Sequence, residues 1–167
     1  MSLVLGIDPG ITGALVLLEE GSNSYVDHLF TPTIKVGSKN RLNGAAIKAW
    51  LDEHEDISHA FLEQVNAMPG SGGKGPKMGA GSAFTFGHAA GYVEGVISGA
   101  NIPLTLVTPQ KWKKYADLIG TDKDAARSRA VQLYPDVRIL DQKIKGQALA
   151  DAMLITRYGN AHLNTIH

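Results

Sequence analysis

Three carboxylates stand where a carboxylate is expensive. Asp8 ends the apolar run "LVLGID" and is followed by Pro9-Gly10 and a second apolar run. Glu63 lies inside "HAFLEQV", flanked by Phe61, Leu62 and Val65. Asp151 is the only acid of "QALADAMLITRY", where helical spacing sets Gln147, Ala148, Leu154 and Ile155 around it. A buried charge is costly unless something pairs with it. Singly, each acid has an ordinary explanation as a cap or a hydrogen-bonded buried carboxylate. Three acids on three core elements ask for a common one. If the strands of Asp8 and Glu63 are neighbours and the last helix packs over them, the acids converge, and unpaired they would repel and take up protons. A divalent cation removes that conflict, and an oxygen donor set without His or Cys favours Mg²⁺ or Mn²⁺ over zinc. Two such ions about 4 Å apart suit phosphodiester hydrolysis, activating water and stabilising the leaving oxygen.

The elements that must position these acids follow from periodicity. Residues 4–8 and 12–19 read as adjacent strands joined at Pro9-Gly10, and residues 25–31 as a third, an antiparallel meander. Residues 43–53 have helical spacing, with Ala46, Ile47, Trp50 and Leu51 on one side. Residues 59–65 form a short buried strand, residues 82–99 a helix and residues 104–107 another strand. Helices are expected over 110–118, over 121–133 with "TDKD" as cap and acidic first turn, and over 147–158. The order suggests one α/β domain over residues 1–167, a mixed sheet covered by helices.

Composition narrows the class. The 167 residues are 44% hydrophobic and 19% charged, as in soluble globular chains. No apolar run is long enough to span a bilayer and no cationic leader precedes one, so a cytoplasmic protein with no membrane partner is expected. The absence of cysteine excludes disulfides and cysteine–zinc sites. The net charge of zero hides an asymmetry: residues 1–70 hold four Lys/Arg against nine Asp/Glu, and residues 71–167 hold twelve against seven. A random split on a solvated surface explains this, and so does a basic face suited to a polyanion.

Several segments occur together in a telling order: "GIDPGITGA", "FLEQV…AMPG", "SAFTFGHAAGYVEGVI", "VTPQKWKK", "DKDAARSRAVQLYP" and "ALADAMLI". This set resembles the RuvC-type Holliday junction resolvases, most of all the phage-associated branch, from about residue 3 to residue 159. The resemblance implies an RNase H-like fold, a homodimer and Mg²⁺-dependent paired nicking of four-way DNA junctions, with Asp8, Glu63 and Asp151 as catalytic metal ligands. The chain departs from the family at one place. A further Asp or His usually precedes the helix aspartate, whereas residues 145–148 read Lys-Gly-Gln-Ala. Gln147 through its amide oxygen, or Asp141 from the preceding loop, is the substitute on offer.

The loop "NAMPGSGGKGPKMGAGS" holds six glycines, two prolines and two lysines. It fails the nucleotide-binding pattern, because Gly75 follows Lys74 and Met68 occupies the first glycine position, so no nucleotide cofactor is expected. A flexible surface loop is the plain reading. Placed just after Glu63, it is expected to touch substrate, Lys74 and Lys77 meeting phosphates and Asn66 and Met68 probing the unstacked centre of a junction. Further DNA contacts are expected from Lys111, Lys113, Lys114, Lys123, Arg127, Lys143 and Lys145, with Trp112 in the core. In the helix over 82–99, Gly87, Gly91 and Gly95 together forfeit about 3 kcal/mol of helix propensity, which close backbone approach would offset. Phe84, His88 and Tyr92 on a neighbouring ridge are the expected dimer contacts. The competing readings are a catalytically silent junction binder, another RNase H-like nuclease, and an actin- or hexokinase-like ATPase, which needs two such domains and more chain than this.

Overall fold

A computed structural model describes residues 1–64 and 79–165. Strands β1 (Leu3–Asp8), β2 (Ala14–Glu19) and β3 (Tyr25–Phe30) form the antiparallel meander. β1 also pairs in parallel with β6 (Ile57–Glu63), which pairs in parallel with β7 (Leu104–Val107), so the sheet order is β3-β2-β1-β6-β7. β1 and β2 are buried on both faces, which explains their unbroken apolar runs where a half-exposed strand would alternate.

Two helical layers cover the sheet. On one face, Leu3, Leu5, Ile7, Leu15, Leu17 and Leu62 pack against α1 (Gly44–Asp52) and α2 (Ala80–Gly99). Asn43 caps α1, its Oδ1 accepting from the Ala46 N–H at 3.1 Å. On the other face, Val4, Val16, Leu18 and Phe61 pack against α3 (Pro109–Tyr115), α4 (Ala125–Leu133) and α5 (Lys143–His162). Among the described residues no helix is long and apolar enough to cross a membrane.

Three details differ from the sequence expectations. A hairpin, β4 (Thr33–Val36) and β5 (Lys39–Leu42), pairs only with itself among the described residues. Its two-residue turn puts Gly37 at φ 62, a conformation that suits glycine, and Gly-Ser between two alternating runs was its signal. α4 starts at Ala125 and not at residue 121, because Asp122 Oδ1 accepts the Asp124 N–H in a local turn that displaces the first helical turn. α5 starts at Lys143, four residues before the expected start. Gly146 does not interrupt it: a Cβ there would lie 2.4 Å from the Leu140 carbonyl oxygen, so the absent side chain lets the first turn close against the preceding 3-10 turn, Arg138–Asp141.

Candidate functional site

Asp8 and Glu63 are the last residues of neighbouring parallel strands, with Ile7 opposite Leu62 one step earlier. Ligand sites of open α/β sheets gather at such carboxyl ends. Alternation sends Ile7 and Leu62 into the α1–α2 core, so Asp8 and Glu63 point to the α5 side. Two close approaches seat α5 there. A Cβ on Gly6 would come within 2.0 Å of Thr156 Oγ1 and 2.6 Å of the Ala152 carbonyl oxygen, and one on Gly159 within 2.1 Å of the Phe61 ring. Ala152 therefore rests on the strand two residues before Asp8, and Asp151 comes with it.

The electrostatics follow from this placement. Burial raises the Asp8 carboxyl well above its ordinary range, and Asp151 and Glu63 raise it further. Asp151 is pushed up to about 7, chiefly by burial and then by Glu63. Burial also raises Glu63, against the lowering effects of Trp112 and Lys113. Lys113 lowers all three, so this exposed lysine of α3 faces the acids as well as solvent, its Nζ 5.4 Å from the Trp112 ring centre.

Two neighbours orient the acids. The buried Trp112 donates from Nε1 to Glu63 Oε2 at 2.6 Å. Sequence reading placed Trp112 in the core and missed this bond, which spans 49 residues and leaves no local pattern. Gln147, one helical turn before Asp151, donates from Nε2 to Asp151 Oδ1 at 3.0 Å, and its Oε1 is buried with no hydrogen-bond partner among the described residues. Turning the amide over would aim oxygen at carboxylate, so the orphaned acceptor stays beside the acids. A hard cation is the partner this donor set fits: three carboxylates and an amide oxygen. The set is not preassembled, because among the described residues no three His, Asp or Glu groups stand ready to hold one ion. Asp141 is exposed, pairs with Arg138 at 3.7 Å and lines neither cleft beside the acids.

The other expected contacts separate by location. Lys123 and Lys143 line a cleft with Asp8, Gln147 and Asp151, and Lys113 lines an adjoining one with Lys123 and Asp151. Lys143 and Lys145 sit in the first turn of α5 and not ahead of the helix, where they oppose its dipole and make its start electropositive. Lys145 also lies 5.4 Å from the Phe30 ring centre. Lys111 and Lys114 are exposed on α3. Arg127 turns inward, donating to the Leu140 carbonyl at 3.5 Å and approaching Asp124 at 4.0 Å. Asn66, Met68, Lys74 and Lys77 lie outside the described residues.

On α2, Phe84, His88 and Tyr92 form a column of rings, each 6.0 Å from the next, with Phe84 65% and Tyr92 42% exposed. Gly87, Gly91 and Gly95 would each carry a Cβ without meeting any described atom within 4 Å. The close approach expected along this ridge is therefore not made within the described chain.

At the level of sequence, no family model and no curated protein matches. Among solved structures, the chain is similar to RuvC of Thermus thermophilus, at 16% identity and a TM-score of 0.59, over 98% of this chain and 96% of that one. It is also similar to T. thermophilus RuvC in complex with a Holliday junction substrate, at 16% identity and a TM-score of 0.63, with the same coverage. Sheet order, helix placement and this likeness give the chain the fold of RuvC, an RNase H-like mixed sheet, antiparallel at one edge and parallel at the other, flanked by helices.

Proposed function

We propose that residues 1–167 form a single nuclease domain that cuts four-way and related branched DNA by metal-dependent, paired phosphodiester hydrolysis. The observation that carries this is the convergence of Asp8, Glu63 and Asp151, with raised proton affinities, at the strand ends of a RuvC-type fold. These acids would hold Mg²⁺, or Mn²⁺ in its place, and the Gln147 amide oxygen fits the position where a fourth carboxylate is missing. Bound there, one or two such ions supply an activated water and a charge on the leaving oxygen. The chain's own part is to fix the acids and hold the backbone. Trp112 keeps Glu63 in place, Gln147 orients Asp151, and Lys113 moderates the repulsion among all three.

Lys111, Lys114, Lys123, Lys143 and Lys145 are positioned to meet phosphates around the cut. The segment with Asn66, Met68, Lys74 and Lys77 follows Glu63 in sequence and is assigned the branch point. The ring column and glycine ridge of α2 suit a second copy, which would set two sites against two opposed strands. The "AMPG" and "WKK" segments favour the phage-associated branch, acting in the cytoplasm of a bacterial or phage-infected cell. A second reading, the silent junction binder, is favoured by one feature: residues 145–148 supply neither a carboxylate nor a histidine as a fourth ligand.

The deciding experiment is cleavage of a labelled immobile four-way junction beside a linear duplex, in Mg²⁺, Mn²⁺ or EDTA, with Asp8→Asn as control. Paired nicks near the branch, dependent on metal and absent in the control, are expected. Tight junction binding with no cut in either metal assigns the silent binder, and neither binding nor cutting overturns both readings.

A further inference from the structure

The β4–β5 hairpin is the part of the fold that the acid site does not explain. Among the described residues it belongs to no larger sheet, and it collects three of the four cations of residues 1–70: Lys35, Lys39 and Arg41. The fourth, Lys48, is paired with Asp52. No Asp or Glu occurs between Asp27 and Asp52, and among the described residues no carboxylate pairs with the three hairpin cations. A basic element inside the acidic half of a neutral chain is a local choice and not a consequence of composition.

Register and packing aim it. Arg41 lies opposite Ile34 and Lys39 opposite Val36, so two cations share one face with two aliphatic side chains that are 46% and 51% exposed. Arg41 donates from Nη1 to His88 Nε2 at 3.1 Å, which ties the hairpin to α2. Lys39 and Arg41 line a groove with Ile11, Thr85 and Ala89 that is bordered by Phe84 and His88 of the ring column, and Ile11, Thr85 and Ala89 also line the next groove, which includes Asp8. A continuous depression thus runs from the acids to the hairpin on the α2 side of the sheet. On the α5 side, the cleft from the same Asp8 leads to Lys123 and Lys143. The acids stand between two groups of cations.

We propose that the β4–β5 hairpin is a phosphate-contacting ribbon that holds a duplex arm of nucleic acid on the α2 side of Asp8. The proposal rests on the reading of the chain as a DNA-binding nuclease. It adds where the second arm runs and which side chains hold it. Charge selects the occupant: a two-stranded ribbon whose three cations have no carboxylate partner among the described residues complements a polyanion, and a second copy of this chain would have to bring carboxylates to it.

The test uses the full chain carrying Asp8→Asn, with and without Lys35→Gln, Lys39→Gln and Arg41→Gln. Affinity for a labelled four-way junction and for a linear duplex is read across salt. Each phosphate contact contributes about 0.9 to the slope of log affinity against log salt, so, with Lys39 and Arg41 on the face that lines the groove and Lys35 on the other, the triple variant is expected to lower that slope by about 2. A variant with Lys35→Arg, Lys39→Arg and Arg41→Lys is expected to keep it. An unchanged slope in the triple variant overturns the proposal, and so does a lowered slope in the charge-keeping variant, which would assign the effect to folding. A triple variant that keeps the slope but changes the sedimenting mass assigns the hairpin to a contact between copies, also against the proposal. Should the slope fall as expected while the native chain cuts nothing in any metal, the nuclease reading fails and the hairpin stands. A parent that binds neither DNA sinks both.

Discussion

Asp151 carries the residue-scale consequence of burying a carboxyl beside a second acid, Glu63. Its carboxyl is raised from an ordinary 3.8 to about 7, so between those values the folded chain holds a proton that the unfolded chain releases. Stability from this group is fully present below about pH 4 and is lost as pH rises through about 7. Thermal unfolding in EDTA should therefore show a melting temperature that falls between pH 5 and pH 8, by more in the native chain than in Asp151→Asn. The comparison with the variant removes opposing groups such as His28, whose lowered pKa works in the reverse sense. Mg²⁺ binds the ionised form and should restore most of the loss at pH 8 and little at pH 5; equal effects at both values would disconnect the cation from these acids. Trp112→Phe makes a second prediction. It deletes the donor that reaches Glu63 at 2.6 Å and keeps an apolar ring in the core. Groups that orient metal ligands are worth about 10–100-fold in affinity or activity. Half-maximal cleavage should need correspondingly more Mg²⁺, with junction affinity unchanged. A purely structural Trp112 would lower the melting temperature and leave the metal requirement alone.

At the scale of elements, the position of α5 decides whether the acids meet. Gly6→Ala places a Cβ 2.0 Å from Thr156 Oγ1 and 2.6 Å from backbone atoms of Ala152 and Thr156, and the backbone atoms cannot turn aside as a side chain can. The helix must lift or the strand must bend. Overpacking of this kind costs about 1–3 kcal/mol, and a displacement near 1 Å at a catalytic group costs on the order of 100-fold in rate. Cleavage at a temperature where the variant is folded should fall by that order, and full activity would mean that α5 does not set the geometry. Such seats are what sequence reading misses. The apolar runs of β1, β2 and β6 and the 3.6-residue spacing of α1 and α2 announce those elements, because burial writes a periodic pattern. The β4–β5 hairpin is exposed throughout most of its length and leaves almost no apolar signal, only the Gly37-Ser38 turn. The early start of α5 was hidden by Gly146, which reads as a breaker until the Leu140 carbonyl is seen against it. Asp8, Glu63 and Asp151 stood out as misplaced charges, whereas the hold of Trp112 on Glu63 is a tertiary fact with no spacing to betray it.

At the scale of the whole molecule, α2 poses a question of free energy. Interior glycines cost a helix about 1 kcal/mol each relative to alanine, and Gly91 and Gly95 give nothing in return within the described chain, where the space above each is open. A monomer would be improved by replacing them. Gly91→Ala with Gly95→Ala should then raise stability by about 2 kcal/mol and leave the sedimenting mass and the pattern of nicks as they were. The proposed dimer requires the opposite. If the ridge brings a second copy close to the backbone, as small residues at fourth-residue spacing permit, two methyl groups would push the helices apart and the exposed rings of Phe84 and Tyr92 would lose their cover. Sedimentation should then show dissociation at concentrations where the native chain is dimeric, and the melting temperature should become dependent on concentration. Cleavage should change in character before it changes in rate. A junction cut by two sites held together yields two nicks in one encounter, whereas separated subunits release singly nicked intermediates. The ratio of paired to single nicks on a supercoiled cruciform reads this directly. It should fall in the double variant and recover as protein concentration rises, since mass action rebuilds the pair that the alanines weaken.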